Sequence, residues 1–166
     1  TSLQDDCAAS PLDDANVTRI QGLYAGWSDQ GFRVLGLATK AVRPKAAYTE
    51  ADEVDMVFTG FLLFFDPPKQ DAQKAIADLG DLGVKLKIIT GDNRRVAAHI
   101  AKKVGLDVTG IVTGVEMNRM RDEALWQLAD RADIFAEVDP NQKERIISAL
   151  HKTGHVVGYL GDGIND

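Results

Sequence analysis

The fold of this chain is decided by residues 84–105, whose sequence is VKLKIITGDNRRVAAHIAKKVG. Residues 84–89 are rich in β-branched and apolar side chains, which predicts a strand. Residues 93–104 carry apolar side chains at helical spacing, and Gly105 stands where a glycine closes a helix. Thr90-Gly91-Asp92 joins the two elements. The stretch therefore predicts a strand, a short polar loop and a helix.

The same alternation of strands and helices continues on both sides of this stretch. It predicts a helix over 70–82 closed by Gly83, a helix over 122–131, and a helix over 141–152 closed by Gly154. It also predicts strands over 110–113, 134–138 and 155–160. Strands that alternate with helices indicate βαβ units and an α/β fold with a parallel sheet. In such sheets, ligands bind at the carboxyl ends of the strands. Thr90-Gly91-Asp92 and Gly161-Asp162-Gly163 both fall at such ends.

Residues 1–66 have a different pattern and are predicted to form a separate α+β unit. We expect an irregular lead-in over 1–12, a helix over 13–30 closed by Gly31, and strands over 32–42 and 54–65 separated by a loop. Asp66-Pro67-Pro68 follows the second strand, and two prolines cannot continue a strand ladder. The predicted boundary therefore separates residues 1–66 from residues 67–166.

Composition excludes several classes of protein. The chain has 166 residues, 45% of them hydrophobic, and a formal net charge of −6, which is ordinary for a globular protein and poor for binding nucleic acid. Its one cysteine cannot form an intrachain disulfide. No apolar run approaches the ~20 residues of a membrane-spanning helix. Because the sequence starts without Met and stops within its most distinctive motif, we expect a segment of a longer protein.

The C-terminal motif Gly161-Asp162-Gly163-Ile164-Asn165-Asp166 places two carboxylates just after a predicted strand. Hard oxygen ligands without a neighbouring His or Cys suit Mg²⁺ better than zinc. Aspartate and glycine are also common in turns, so Gly-Asp-Gly alone would favour a simple polar turn. The full six-residue string is more specific and favours a metal site.

Three further features have both a functional and a structural interpretation. Thr90-Gly91-Asp92 lies before a helix N-terminus, where an anion can bind, and Asp92 or Asn93 can equally cap that helix. Lys143 begins a predicted helix, where it could neutralise a phosphoryl group or simply face solvent. Arg33 begins a predicted strand, and it could pair with a nucleotide phosphate or serve solubility. For Arg33 the sequence does not separate the two.

Together, these motifs in this order resemble the haloacid dehalogenase superfamily, and more closely the phosphorylation domain of P-type cation-transporting ATPases. Asp66-Pro67-Pro68-Lys69 resembles the hinge motif of those pumps, and residues 31–35 resemble the end of their nucleotide-binding domain. Residues 84–92 and 154–160 look most like the magnesium-transporting branch. The resemblance implies an incomplete Rossmann-like sheet of the dehalogenase type, preceded by the C-terminal part of a nucleotide-binding domain.

The resemblance also implies a role for each motif residue. Asp162 would hold Mg²⁺, with Asn165 and Asp166 supporting the phosphate and the metal. Thr90-Gly91-Asp92 would contact the phosphoryl group or nucleotide, and Lys143 would neutralise the phosphorylated state. The nucleotide-binding residues are implied to be Arg33, at the ATP phosphates, and Asp66, at the hinge. The chain would then be a cytoplasmic part of an integral membrane pump that uses ATP and Mg²⁺.

Departures from the family pattern set the expected activity. The nucleophilic Asp of the family lies in an Asp-Lys-Thr-Gly-Thr motif, and the chain contains no such motif. Asp66 follows an apolar strand, but the Pro-Pro-Lys after it does not match, so it is rejected as the nucleophile. The Lys-Gly-Ala motif of the family's nucleotide-binding domain is also absent. Glu137 stands where many of these pumps carry arginine, which weakens one phosphate contact without excluding the family. Because the nucleophile is absent, we expect no ATPase or phosphatase activity from these residues alone.

Without the strand that carries the nucleophile, the sheet is expected to expose an edge, through which the chain could form a non-native dimer. The remaining expected partners are ATP and the rest of the same polypeptide. Two alternatives to a pump stay open from the sequence. One is a truncated soluble phosphatase of the same superfamily, and the other is a non-catalytic binding module that kept the fold.

Overall fold

The chain divides at the end of the strand that precedes Asp66. The computed structural model describes residues 2–5 and 8–161, and it forms two units, Thr1–Phe65 and Asp66–Asp166. This division lies one residue before the predicted boundary. Cys7 and the predicted site residues Asp162, Asn165 and Asp166 lie outside the described residues.

The first unit is a four-stranded sheet with a helix. Its strand order is β2-β1-β4-β3, and its elements are β1 (Ser2–Asp5), β2 (Ala8–Pro11), α1 (Asp14–Asp29), β3 (Arg33–Thr39), a 3-10 helix (Glu50–Asp52) and β4 (Val57–Phe64). β3 and β4 are antiparallel, with Arg33 opposite Phe64. Trp27 of α1 packs edge-on against Phe61, with ring centroids 5.2 Å apart.

The prediction of an irregular lead-in over residues 1–12 is wrong. β1 and β2 pair with each other antiparallel, and β1 pairs parallel to β4. Pairing with β4 satisfies backbone N–H and C=O groups that an open strand edge would leave to solvent. The strands form because a neighbouring strand is available, which a local apolar pattern does not reveal.

The second unit contains a parallel sheet of three strands in the order β5-β7-β6. Its elements are α2 (Ala72–Asp81), β5 (Ile88–Ile89), α3 (Arg94–Lys103), β6 (Ile111–Thr113), α4 (Gly114–Asn118), α5 (Asp122–Arg131), β7 (Ile134–Ala136) and α6 (Pro140–Lys152). Phe135 at the centre of β7 is completely buried, and Leu125 of α5 and Ile146 of α6 belong to the same apolar core. The predicted α/β fold with a parallel sheet is confirmed.

Glycines end the helices as predicted. Gly31, Gly83, Gly105 and Gly154 all have positive φ, between 75° and 88°, a region that glycine enters without steric cost. After α1, for example, the N–H of Phe32 donates to the carbonyl of Trp27 at 3.1 Å. Helix ends could be predicted because their signals are local.

The strand predicted over residues 155–160 does not form, and the one predicted over 84–89 is reduced to Ile88–Ile89. Val156 and Leu160 are fully exposed. The three-stranded sheet of the described residues pairs no strand with segment 155–160, and a strand needs a neighbour to satisfy its backbone. None of the helices in the described part of the chain is long and apolar enough to cross a membrane.

Asp133 ties the amino ends of β6 and β7 together. One of its carboxylate oxygens accepts from the N–H and hydroxyl of Thr109, at 2.7 and 2.8 Å, and from the N–H of Gly110 at 3.3 Å. Burial raises the pKa of Asp133, but these hydrogen bonds and the charge of Lys87 outweigh burial and hold the pKa below its ordinary value. The charged form is thus favoured in the folded state.

We expect Asp133→Asn to lower the free energy of unfolding at pH 7 by about 1–2 kcal/mol, since hydrogen bonds to a charged group are lost. A carboxylate whose pKa is depressed by folding stabilises above its unfolded pKa, near pH 4, and loses that contribution as pH falls through the folded pKa. The gap between wild type and variant should therefore close below about pH 4. Urea unfolding of both proteins at several pH values between 7 and 3 measures this difference in the free energy of unfolding.

The control for this prediction is Asp107→Asn, because Asp107 is an exposed carboxylate of the same unit. Its stability should follow that of the wild type across the pH range. A difference between wild type and Asp133→Asn that is as large at pH 3 as at pH 7 would contradict the proposed role of the charge.

Candidate functional site

The Thr90-Gly91-Asp92 loop lies at the carboxyl end of β5 and folds back on its own polar groups. The N–H of Asp92 donates to the Thr90 hydroxyl at 3.1 Å, and this hydroxyl lies 3.3 Å from the Asp92 carboxylate. Such O–H···O bonds are usually nearer 2.7–2.8 Å. The contact between the Thr90 hydroxyl and the carboxylate is therefore weak, and this hydroxyl can exchange partners at little cost.

Backbone hydrogen bonds fasten this loop to the segment that leaves β7. Thr90 donates to the carbonyl of Phe135 at 2.9 Å, and its own carbonyl accepts from Val138 at 3.2 Å. Further along, the N–H of Glu137 donates to the carbonyl of Asp92 at 2.9 Å. The pairing of the two strands thus continues past their ends and fixes the loop on both sides.

Gly91 is exposed at the tip of the loop. A Cβ at this position would lie 3.7 Å from the carbonyl oxygen of Val138, an ordinary contact distance. Packing therefore does not require glycine at position 91. A side chain there would instead cover the backbone of the loop, so glycine leaves that backbone open to close approach by a ligand.

The N-terminus of α3 is capped within the chain. The side-chain oxygen of Asn93 accepts from the N–H groups of Arg95 and Val96, both at 3.0 Å, and the carboxylate of Glu137 accepts from the N–H of Arg94 at 3.1 Å. The predicted cap at this helix start is therefore present, and the predicted anion site beside it stays a prediction. An anion at the loop would be bound by the loop itself and not by these three donors.

The helix that carries Lys143 begins with a rigid first turn. Asp139 and Gln142 form a reciprocal capping box, and Pro140 occupies the first helical position, for which its fixed φ is suited. Lys143 follows directly, partly buried, and its N–H donates to the carbonyl of Asp139 at 3.1 Å. The segment that pairs with the Thr90 loop therefore leads straight into the turn that carries Lys143.

Gln142 anchors this turn to α4. Its side chain is 5% exposed; the amide nitrogen donates to the carbonyl of Gly114 at 3.0 Å and to Asn118 at 2.8 Å, and the amide oxygen accepts from the N–H of Asp139 at 3.0 Å. A Cβ on Gly114 would collide with the carbonyl of Glu137 and the amide of Gln142. The close approach of α4 to α6 thus depends on glycine at position 114.

Comparison with known proteins identifies the family. A family model of the haloacid dehalogenase-like hydrolases matches residues 11–166. The chain belongs to this hydrolase family. The predicted resemblance and fold type are therefore confirmed, and the parallel sheet with its loops is the sheet of a dehalogenase-like domain, of which the described residues form an incomplete version.

P-type ATPases are among the relatives of this dehalogenase-like chain. The magnesium-transporting ATPase, P-type 1, of Escherichia coli K12 is 41% identical over 157 residues, which cover 94% of the chain and 18% of that protein. A protein of the same name from Salmonella typhimurium LT2 is 45% identical over 155 residues, 90% of the chain and 17% of that protein. The cation-transporting ATPase pma1 of Synechocystis is 33% identical over 175 residues. The chain spans less than a fifth of the length of these relatives.

The predicted site residues fall into three groups in the structure. Thr90, Gly91, Asp92 and Lys143 lie at the carboxyl ends of β5 and β7 or just beyond them. Arg33 is the exposed first residue of β3 in the first unit, and Asp66 is the exposed first residue of the second unit. The metal and phosphate residues Asp162, Asn165 and Asp166 lie outside the described residues. The roles assigned to all of them stay predictions.

No three His, Cys, Asp or Glu side chains come together in the described residues as a metal site. The atoms of the 90–92 loop that could bind a metal are all oxygens, from a hydroxyl, a carboxylate and backbone carbonyls. Hard oxygen donors fit Mg²⁺. The loop therefore has the donor chemistry of the predicted cofactor, and the carboxylates predicted to hold it follow Gly161.

Two residues of this site were missed by the sequence analysis. Gln142 had a visible signal, because Asp139 and Gln142 stand at capping-box spacing before a helix. Glu137 was noted only as a departure from the family pattern, yet its backbone contacts the loop and its carboxylate caps the helix that follows the loop. Its φ of 57° is unusual for a residue with a long side chain and costs about 1 kcal/mol or more.

We expect Gln142→Leu to lower the free energy of unfolding by about 1–3 kcal/mol, because it leaves the carbonyl of Gly114, the Asn118 side chain and the N–H of Asp139 without their partner. Urea unfolding measures the change. Glu144→Gln on the same helix is the control, since Glu144 is exposed and should change stability by less than about 0.5 kcal/mol. Equal stability of the two variants would show that Gln142 does not anchor the turn.

Proposed function

We propose that the chain is part of the cytoplasmic region of an ATP-driven cation pump, with Mg²⁺ as the transported ion. The pump would work through an aspartyl-phosphate intermediate whose nucleophilic Asp is not among these 166 residues. The proposal is supported by the names of the relatives, which are magnesium-transporting and cation-transporting ATPases, and by the membership of the hydrolase family.

The observation that carries the proposal is the joining of the Thr90 loop to the start of α6. The loop is bonded to Phe135, Glu137 and Val138, and the capping box of α6 begins at the next residue. Phosphoryl transfer requires hydrogen-bond donors and a cation to be held around one phosphoryl group before the reaction begins. A hydroxyl at one strand end and a lysine beyond the neighbouring strand are groups of the kind that this requires.

Each residue of the loop and helix then has a task. The Thr90 hydroxyl exchanges its weak contact with Asp92 for a bond to a phosphoryl oxygen, while Gly91 lets the backbone approach that group. Lys143 supplies a positive charge that stabilises the phosphorylated state. Mg²⁺, held by Asp162 and Asp166, would neutralise negative charge on the transferred group. Asn165 would support the phosphate beside it.

Arg33 and Asp66 are the two residues proposed to act on the nucleotide. Arg33 would pair with the ATP phosphates, for which the fork of a guanidinium is well suited, and Asp66 would lie near the nucleotide at a hinge. Because the relatives are transporters, we place the chain on the cytoplasmic side of a membrane as part of an integral membrane protein.

Binding of ATP is tested by calorimetric titration of a non-hydrolysable ATP analogue, with and without Mg²⁺. We expect weak binding that falls at least about tenfold in Arg33→Ala, because a charge-assisted bond to phosphate is worth about 1.5–3 kcal/mol. Arg19→Ala is the matched control, since Arg19 is an exposed arginine of the same unit. Absence of binding at millimolar nucleotide, or equal loss in both variants, would refute the assignment of Arg33.

Hydrolysis by the chain alone is a separate test. We expect no release of phosphate from ATP and Mg²⁺ above the buffer rate, because an attacking carboxylate in the family motif is required and the sequence contains none. Phosphate release that depends on Mg²⁺ and is abolished by Asp66→Asn would contradict this and would identify Asp66 as a nucleophile.

A further inference from the structure

Glu137 holds an unusual backbone conformation at the exit of β7. Among the non-glycine residues of the described ranges, only Asp55 and Glu137 have positive φ, and for Glu137 the angle is 57°. Aspartate and asparagine enter this region fairly readily, whereas glutamate seldom does. Such strain persists only when surrounding contacts determine the conformation, and it is concentrated at functional sites.

The backbone N–H and the carboxylate of Glu137 are both hydrogen-bonded to neighbouring structure. Its N–H donates to the carbonyl of Asp92 at 2.9 Å, and its carboxylate accepts from the N–H of Arg94 at 3.1 Å. Its carbonyl lies so close to Gly114 that no Cβ could be accommodated there. Glu137 thus holds the last residue of the Thr90 loop and the first residue of α3, while Gly114 at the start of α4 packs against its carbonyl.

The carboxylate of Glu137 is favourably placed for its charge. It lies at the N-terminal end of α3, where the helix dipole favours a negative group, and its hydrogen bond with Arg94 is charge-assisted. Asn93 satisfies the next two N–H groups of the helix. Glu137 therefore completes a cap that one side chain could not complete alone, and it does so from the segment that follows β7.

We propose that Glu137 is a positioning residue that fixes the Thr90-Gly91-Asp92 loop in the shape that receives a phosphoryl group. It acts through Asp92 and Arg94 and does not itself touch the ligand. The importance of this positioning for phosphate rests on the proposed function, whereas the positioning itself rests on the hydrogen bonds of Glu137 alone.

Amide hydrogen exchange measured by NMR tests the positioning. In Glu137→Ala and Glu137→Gly, exchange of the Arg94 amide should speed up at least about tenfold, because the carboxylate that accepts from it is gone. Glu137→Gln keeps an acceptor oxygen and should stay within about threefold of the wild type. The Val96 amide is an internal control in every variant, since Asn93 caps it.

Glu137→Gly separates positioning from overall stability. Glycine accepts positive φ without strain, so its urea midpoint should be at or above that of Glu137→Ala, although both lose the Arg94 contact. Fast exchange at Arg94 in the glycine variant, with the stability retained, would be the signature of a local role. Unchanged exchange at Arg94 in both variants would overturn the proposal.

The consequence for ligand binding is tested by titrating orthophosphate with Mg²⁺ and following the amide resonances of residues 90–92. We expect binding at least about fivefold weaker in Glu137→Ala and Glu137→Gly than in the wild type, with rescue in Glu137→Gln. Equal binding in all four proteins would refute the functional role of Glu137. If the wild type itself gives no response, the phosphate role of the loop fails, and the exchange data still decide whether Glu137 positions it.

Discussion

The arrangement of the second unit depends on the backbone hydrogen bonds between segment 88–92 and segment 133–138. As strands, β5 and β7 pair at only two positions. The bonding nevertheless runs from Ile88, which donates to Asp133, to Asp92, which accepts from Glu137. Because a backbone bond is worth only about 1 kcal/mol net, a two-residue strand alone would hold the loop weakly. Continuation of the bonding past the strands is what places the polar loop beside the start of α6.

Polar side chains secure this arrangement at the starts of α3, α4 and α6. Asn93 and Glu137 cap α3, Thr113 and Glu116 form a capping box on α4, and Asp139 and Gln142 form another on α6. The N–H of Thr113 lowers the pKa of Glu116, so the capping carboxylate stays charged at neutral pH. Helix starts that face one end of a parallel sheet gather positive dipole ends there. The capping groups take up several of these donors, so the proposed phosphoryl site depends on the loop at 90–92.

Local signals explain how much of this could be predicted from the sequence. The predicted helix ends at Gly31, Gly83, Gly105 and Gly154 were correct. A glycine with positive φ ends a helix through hydrogen bonds within a few residues of its own position. The α/β class and the parallel sheet were correct because the alternation of patterns is itself local. The prediction of a strand over 155–160 was wrong, and the strands over 2–11 were missed. A strand depends on a partner strand, which is often distant in the chain.

The same distinction explains which site residues escaped prediction. Thr90 and Lys143 stand next to strand ends and helix starts, and a single stretch of sequence reveals both. Glu137 matters through Asp92, Arg94 and Gly114, which are brought to it only by the fold. A glutamate near a phosphate site looks unfavourable from sequence, because two negative groups repel. In the folded chain its charge is taken up by a helix N-terminus, so the carboxylate shapes the loop without having to contact the ligand.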